Sequence, residues 1–134
     1  MQKVEHIGIA VKDIVASNAL FSLLLNISPY KQEEVESEKV LTSFFQVGET
    51  KIELLEAQSE NSAIAKFLEK KGEGIHHIAF LVEDIYVEAE RLKSEGFIPI
   101  SKTPKKGADN KLVFFFHPKS TNGVLIELCQ EIIA

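Results

Sequence analysis

The chain has 134 residues, the size of one ordinary domain and enough to bury a core without staples. Its formal charge of −5 withholds the lysine and arginine surplus that a nucleic-acid partner needs, and no apolar run is long enough to span a membrane. The lone cysteine, Cys129, excludes an intramolecular disulfide and fits a reducing, cytoplasmic setting.

Residues 4–11 are apolar, short and β-branched, which predicts a mostly buried strand entered directly from Met1, with no signal peptide. Asp13 stands where a helix N-cap belongs, and Ile14, Ser17, Phe21 and Leu24 follow at helical spacing until Asn26 can close the helix in a left-handed turn. Residues 31–38 are polar and acidic and read as the approach to a strand at 40–47. Gly48-Glu49-Thr50 then turns that strand into a hairpin with 51–56. Ala63, Ile64, Phe67 and Leu68 mark a linking helix over 59–71, with Asn61 or Ser62 as its cap and Gly72 as its stop. The second half predicts a strand at 75–82, a helix from Ile85 to about Ser94 capped by Asp84 and closed by Gly96, and a strand near 97–101. A loop at 105–110, a strand at 112–117, a turn at 118–123 and a last strand at 124–129 complete it.

The chain repeats itself. His6-Ile7-Gly8-Ile9-Ala10-Val11-Lys12-Asp13-Ile14 returns 71 residues later as His77-Ile78-Ala79-Phe80-Leu81-Val82-Glu83-Asp84-Ile85. Each copy closes on a strand with a central glutamate, Glu53 in one and Glu127 in the other, 47 and 50 residues after its histidine. The fold expected is therefore α+β: one domain over 1–134 made of a β-α-β-β-β module at 4–57, a linking helix at 58–72 and a second such module at 73–130. The two curved sheets would share a cleft.

A histidine in an apolar strand is usually a core residue, but the same histidine in both copies needs a joint explanation. Carboxylates amid Ile and Leu are costly to bury unless paired or metal-bound. Together His6, Glu53, His77 and Glu127 form a candidate metal site of imidazole and carboxylate donors, suited to one divalent ion such as Co, Ni, Mn, Fe or Zn. Such an ion can polarise a carbonyl and stabilise an enolate. His76 points to the opposite strand face from His77 by alternation, and His117, before Pro118, suits a loop-anchoring role better than ligation. Cys129, beside a strand of Val, Leu and Ile, reads as a buried inert thiol.

These residues resemble the vicinal-oxygen-chelate superfamily, which includes glyoxalase I, extradiol dioxygenases and bleomycin-resistance proteins, and within it the methylmalonyl-CoA epimerases. The resemblance runs nearly end to end, through His6–Val11, Gly48–Glu56, Ile64–Leu68, Lys71–Phe80, Lys106-Gly107-Ala108, Phe116-His117-Pro118-Lys119-Ser120 and Gly123–Leu128. It implies metal ligation by the same four residues and an isomerase that interconverts (2R)- and (2S)-methylmalonyl-CoA by proton transfer at C2 through a metal-stabilised enolate. It also implies an acyl-CoA thioester substrate and a homodimer. Glu127 is the expected base. Some epimerases carry a second glutamate where this chain has Thr42, which cannot act as a base at ordinary pH. Glu38 and, less readily, Glu36 share its strand parity, and a metal-bound water is another option. Lys105, Lys106 and Lys119, with Lys51 at the start of a ligand strand, are candidates for the CoA phosphates. The competing readings are a glyoxalase-like lyase using the same ligands and a metal-free binding protein of the same fold, which the presence of all four ligands disfavours.

Overall fold

A computed structural model describes residues 1–133. The chain divides into two compact units, His6–His76 and a second made of Met1–Glu5 with His77 onward.

In the first unit, β1 (Lys3–Val11) leads to α1 (Ile14–Leu25), then β2 (Lys31–Val35), β3 (Val40–Val47), β4 (Thr50–Ala57) and α2 (Ala63–Lys71). The strands stand in the order β2-β3-β4-β1, antiparallel except for the parallel pair β1–β4. Asp13 caps α1, its Oδ1 accepting from Val15 N and Ala16 N, and Asn26 ends the helix in the left-handed region at φ 56°. Ser62, one of the two expected caps of α2, accepts from Ala65 N at 3.0 Å. Ile14, Phe21 and Leu25 of α1 pack on Val11, Phe45 and Leu54. Leu24, expected on that inner face, instead points to solvent, and Leu25 takes its place.

In the second unit, β5 (Gly74–Leu81), which begins in the first, leads to α3 (Ile85–Ser94), β6 (Lys105–Lys106), β7 (Lys111–Phe116) and β8 (Ile126–Glu131), in the strand order β5-β8-β7-β6. Asp84 repeats the role of Asp13, accepting from Tyr86 N and Val87 N. Ile85, Ala89 and Leu92 pack on Phe114, Phe116 and Leu128. Cys129 is buried and makes no disulfide, its Sγ donating to Phe80 O at 3.6 Å.

Four expectations change. Residues 31–38 are not merely an approach: Lys31–Val35 is a full strand paired with β3. Residues 97–101 make no strand, only a bridge from Pro99 to Phe116, because the N–H groups that would extend the ladder, Ile98 N and Phe115 N, donate instead to Ser120 Oγ and Ser101 Oγ. The strand that pairs with β7 comes instead from the expected loop, at Lys105–Lys106. The last strand also starts later than expected, since Val124 still belongs to the preceding turn, its N–H bonded to Thr121 O.

Leu54 and Leu128 face the helices in their respective units. Strand alternation therefore turns Glu53 and Glu127 to the face away from the helix.

Candidate metal centre

The two units build the same local arrangement. In the parallel pair β1–β4, Glu53 stands beside Gly8, and in β5–β8, Glu127 stands beside Ala79. These small neighbours leave lateral room for the histidine two residues earlier on the same face. His6 Nδ1 accordingly lies 3.2 Å from Glu53 Oε2, and His77 Nε2 lies 3.1 Å from Glu127 Oε1. All four residues are 4–6% exposed. A buried carboxylate pays a desolvation cost of several kcal/mol unless it meets a charge, a hydrogen-bond donor or a metal. The donor set is oxygen and imidazole nitrogen with no thiolate, which fits a borderline or hard divalent ion.

Each ligand strand is also tied to a helix N-terminus. Glu56, three residues after Glu53, accepts from Ile14 N at 2.8 Å, and Gln130, three residues after Glu127, accepts from Ile85 N at 2.8 Å. The helix start thus holds the strand that carries the glutamate.

The remaining histidines stay apart from these pairs. His76 packs edge-on against Phe67 of α2, with ring centroids 5.0 Å apart. His117 Nδ1 accepts from Lys119 N at 3.0 Å and anchors the turn at Pro118–Ser120. On the ligand face of the second unit the Phe115 ring meets His77 edge-on at 6.1 Å.

Thr42 lies on the ligand face of the first unit, since β3 pairs Thr42 with Leu55 and Phe44 with Glu53. Its Oγ1 is buried without a hydrogen-bond partner. Glu38 and Glu36 do not share its strand. They sit in the turn between β2 and β3, where Glu38 N bonds Val35 O and Lys39 N bonds Glu36 O. The carboxylate directly across from Thr42 is Glu33, on the unexpected strand β2. Glu33 lies 3.6 Å from Lys31 Nζ, which also stands 4.8 Å above the Phe44 ring. Residues 31–38 are expected only as the approach to a strand, because Lys31 and Glu33 stand where a strand signal needs apolar residues.

Lys105, Lys106 and Lys119 are all exposed. Lys105 pairs with Val113, and Val113 with Cys129, which puts Lys105 on the face of Glu127; Lys106 alternates to the other. A further residue was not foreseen. Lys111 is buried in the second unit, with Nζ 3.7 Å from Glu5 Oε2 and 3.4 Å from Asp109 Oδ2.

Comparison with known proteins follows this geometry. Residues 5–115 match the family described as the Glyoxalase/Bleomycin resistance protein/Dioxygenase superfamily. The chain is 42% identical over 130 residues to the ethylmalonyl-CoA/methylmalonyl-CoA epimerase of Cereibacter sphaeroides, covering 96% of this chain and 97% of that protein. Its fold is similar, at a TM-score of 0.94 and 30% identity, to a variant of the Streptomyces coelicolor methylmalonyl-CoA epimerase in complex with 2-nitronate-propionyl-CoA, covering 100% and 97% of the two chains. It is likewise similar to a methylmalonyl-CoA epimerase in complex with methylmalonyl-CoA and NH4+, at a TM-score of 0.93 and 31% identity, covering 98% and 95%. Among the described residues no helix is long and apolar enough to cross a membrane.

Proposed function

The chain belongs to the methylmalonyl-CoA epimerase family of the glyoxalase/bleomycin resistance/dioxygenase superfamily, and on that premise we propose that it interconverts (2R)- and (2S)-methylmalonyl-CoA by moving the proton at C2, using one divalent metal ion held by His6, Glu53, His77 and Glu127. The observation that carries this reading is the doubled, buried imidazole–carboxylate pair, one in each half of a chain so close to named epimerases. When bound, a divalent ion supplies positive charge for the enolate oxygen that develops as C2 loses its proton.

The chain's own residues do the rest. Glu127 has two carboxylate oxygens, so one can serve as a ligand while the other accepts the C2 proton from one face. Inversion requires a proton returned to the opposite face. Glu33 is assigned to that task, because it is the carboxylate that strand register sets beside Thr42, and threonine cannot carry the proton itself. Lys105, on the face of Glu127, together with the exposed Lys106 and Lys119, is assigned to the CoA phosphates. A homodimer in the cytoplasm is the proposed setting, in keeping with a single cysteine that is buried and makes no disulfide.

The test is (2R)-methylmalonyl-CoA incubated with purified protein in deuterated water, with and without EDTA. The reading expects deuterium at C2 and formation of the (2S) epimer, both suppressed by EDTA and restored by a divalent metal. Absence of exchange with every divalent metal tried rejects it. Glu33→Gln separates the two proton carriers: it should slow epimer formation far more than deuterium entry from the epimer that Glu127 deprotonates. Equal rates of loss, or no loss, remove Glu33 from the mechanism.

A further inference from the structure

The orphaned polar atoms of the first unit divide by sheet face. Among the described residues, Asn18 Oδ1, Thr42 Oγ1 and Ser43 Oγ are buried without a hydrogen-bond partner. Ser43 stands across from Leu54 on the helix side, and Gln32, its neighbour on β2, already accepts from Asn18 Nδ2 at 2.7 Å. That pair belongs to the seat of α1. Thr42 is on the other face, the one that carries Glu53, and none of its surface is exposed.

A buried hydroxyl without a partner costs free energy that a valine of the same shape avoids. Register and strand alternation set Val35, Val40, Phe44 and Leu55 around it, all buried and apolar. Two carboxylates neighbour it on this face of the first unit. Glu53 is diagonal to it, about 7–8 Å away by ordinary sheet spacing, and is already engaged with His6. Glu33 is directly across, at an ordinary Cβ separation of about 4.5–5.5 Å. Glu33 here pairs with Lys31, but the two side chains are 35% and 37% exposed, and such an ion pair contributes little.

We propose that Thr42 is the positioning residue of the second proton carrier: in the loaded site Lys31 turns to the anionic substrate, and Glu33 turns inward to accept a hydrogen bond from Thr42 Oγ–H. This rests on the assignment of Glu33 made above. An acyl-CoA competes for Lys31 with a carboxylate that holds it weakly, and its arrival shuts out the water around Glu33. The hydroxyl then becomes the donor that lets a charged carboxylate stay among apolar neighbours. One Glu33 oxygen is fixed on Thr42, and the other is left to act. As the C2–H bond breaks, its electron pair passes to the thioester carbonyl to form the enolate, and the proton bonds to that second oxygen. The reverse step returns it. Thr42 keeps its own proton throughout.

Thr42→Val, which removes the hydroxyl and keeps the shape, tests this beside Thr42→Ser, which keeps the donor. Metal-loaded protein is assayed in deuterated water from (2R)- and (2S)-methylmalonyl-CoA separately. Thr42→Val should slow epimer formation on the order of tenfold to a hundredfold, the worth of one hydrogen bond to a charged group. Deuterium entry from the epimer that Glu127 deprotonates should change by less than about twofold. Thr42→Ser should recover most of the loss, and Thr42→Val added to Glu33→Gln should slow the reaction no further. In the free protein Thr42→Val should raise Tm, because no bond is lost there, and metal affinity should stay the same. A lowered Tm shows a hydroxyl already satisfied and overturns the proposal. So does weakened metal binding, which shows it serving Glu53, or equal loss of both proton transfers. If Glu33→Gln slows epimer formation and Thr42→Val does not, this proposal alone falls. If Glu33→Gln has no effect, the assignment of Glu33 falls and takes it along, whereas a wild type inactive with every metal rejects the epimerase reading itself.

Discussion

Replacing Glu56 gives the sharpest view of how the fold holds the strand that carries Glu53. Its carboxylate accepts the Ile14 amide at 2.8 Å, at the start of α1 and three residues beyond Glu53. A hydrogen bond to a charged acceptor contributes about 1.5–3 kcal/mol, and a negative charge at a helix N-terminus about 0.3–1 kcal/mol more. Asp13 continues to cap Val15 and Ala16 in any variant, so the helix start is weakened and not abolished. Glu56→Ala should then cost about 2–3 kcal/mol, a fall of roughly 6–15 °C in Tm for a chain of this length. Glu56→Gln keeps the acceptor that Gln130 supplies in the second unit and should cost only about 0.5–1.5 kcal/mol. Urea unfolding measures both, and metal titration of the same variants should show affinity falling in the same order, because the strand bearing Glu53 is what the bond secures. If the two substitutions cost the same, or alanine costs less than about 0.5 kcal/mol, the helix start does not hold the ligand strand.

Two other perturbations address the buried groups. His77→Ala should abolish tight one-to-one metal binding in isothermal titration and leave Glu127 buried without its imidazole; unchanged binding would refute the four-ligand site. Lys111→Met should destabilise by about 3–5 kcal/mol in urea unfolding, since it takes the lysine charge from beside the buried Glu5 carboxylate, and pairing it with Glu5→Leu should recover most of that loss. A double variant no more stable than Lys111→Met alone would show that the Lys111–Glu5 pair is not the source of the cost.

The legible part of this protein was whatever occurs twice. His6 and His77, the caps Asp13 and Asp84, and the glutamates within apolar strands declare themselves because each copy vouches for the other. Strand alternation likewise separated His76 from His77. What failed to show had no such twin or no hydrophobic period. Strand β2 carries Lys31 and Glu33 on the very face where a strand signal needs apolar residues, so its alternation is one of charge. Residues 97–101 have the apolar run of a strand, but two serine hydroxyls take the N–H groups that would extend its ladder. The pairing of Lys111 with Glu5 joins residues at opposite ends of the chain, and no local pattern announces it. Leu24 and Leu25 are adjacent leucines, and only packing decides which one faces inward.

The membership of Met1–Glu5 in the second unit bears on how the chain must fold. Gln2 N bonds Leu81 O at 2.8 Å, and Glu5 meets Lys111, so these five residues find their partners about 80 and 100 positions away. Closing so large a loop costs entropy before any contact repays it, which slows the search. During synthesis the first unit has all its strands once residue 76 has emerged, whereas the second must wait for its own last strand and then recover a segment already outside the ribosome. The two halves of a duplicated sequence thus become unequal in time: one can fold on the way out, and the other is completed only by reaching back to the beginning.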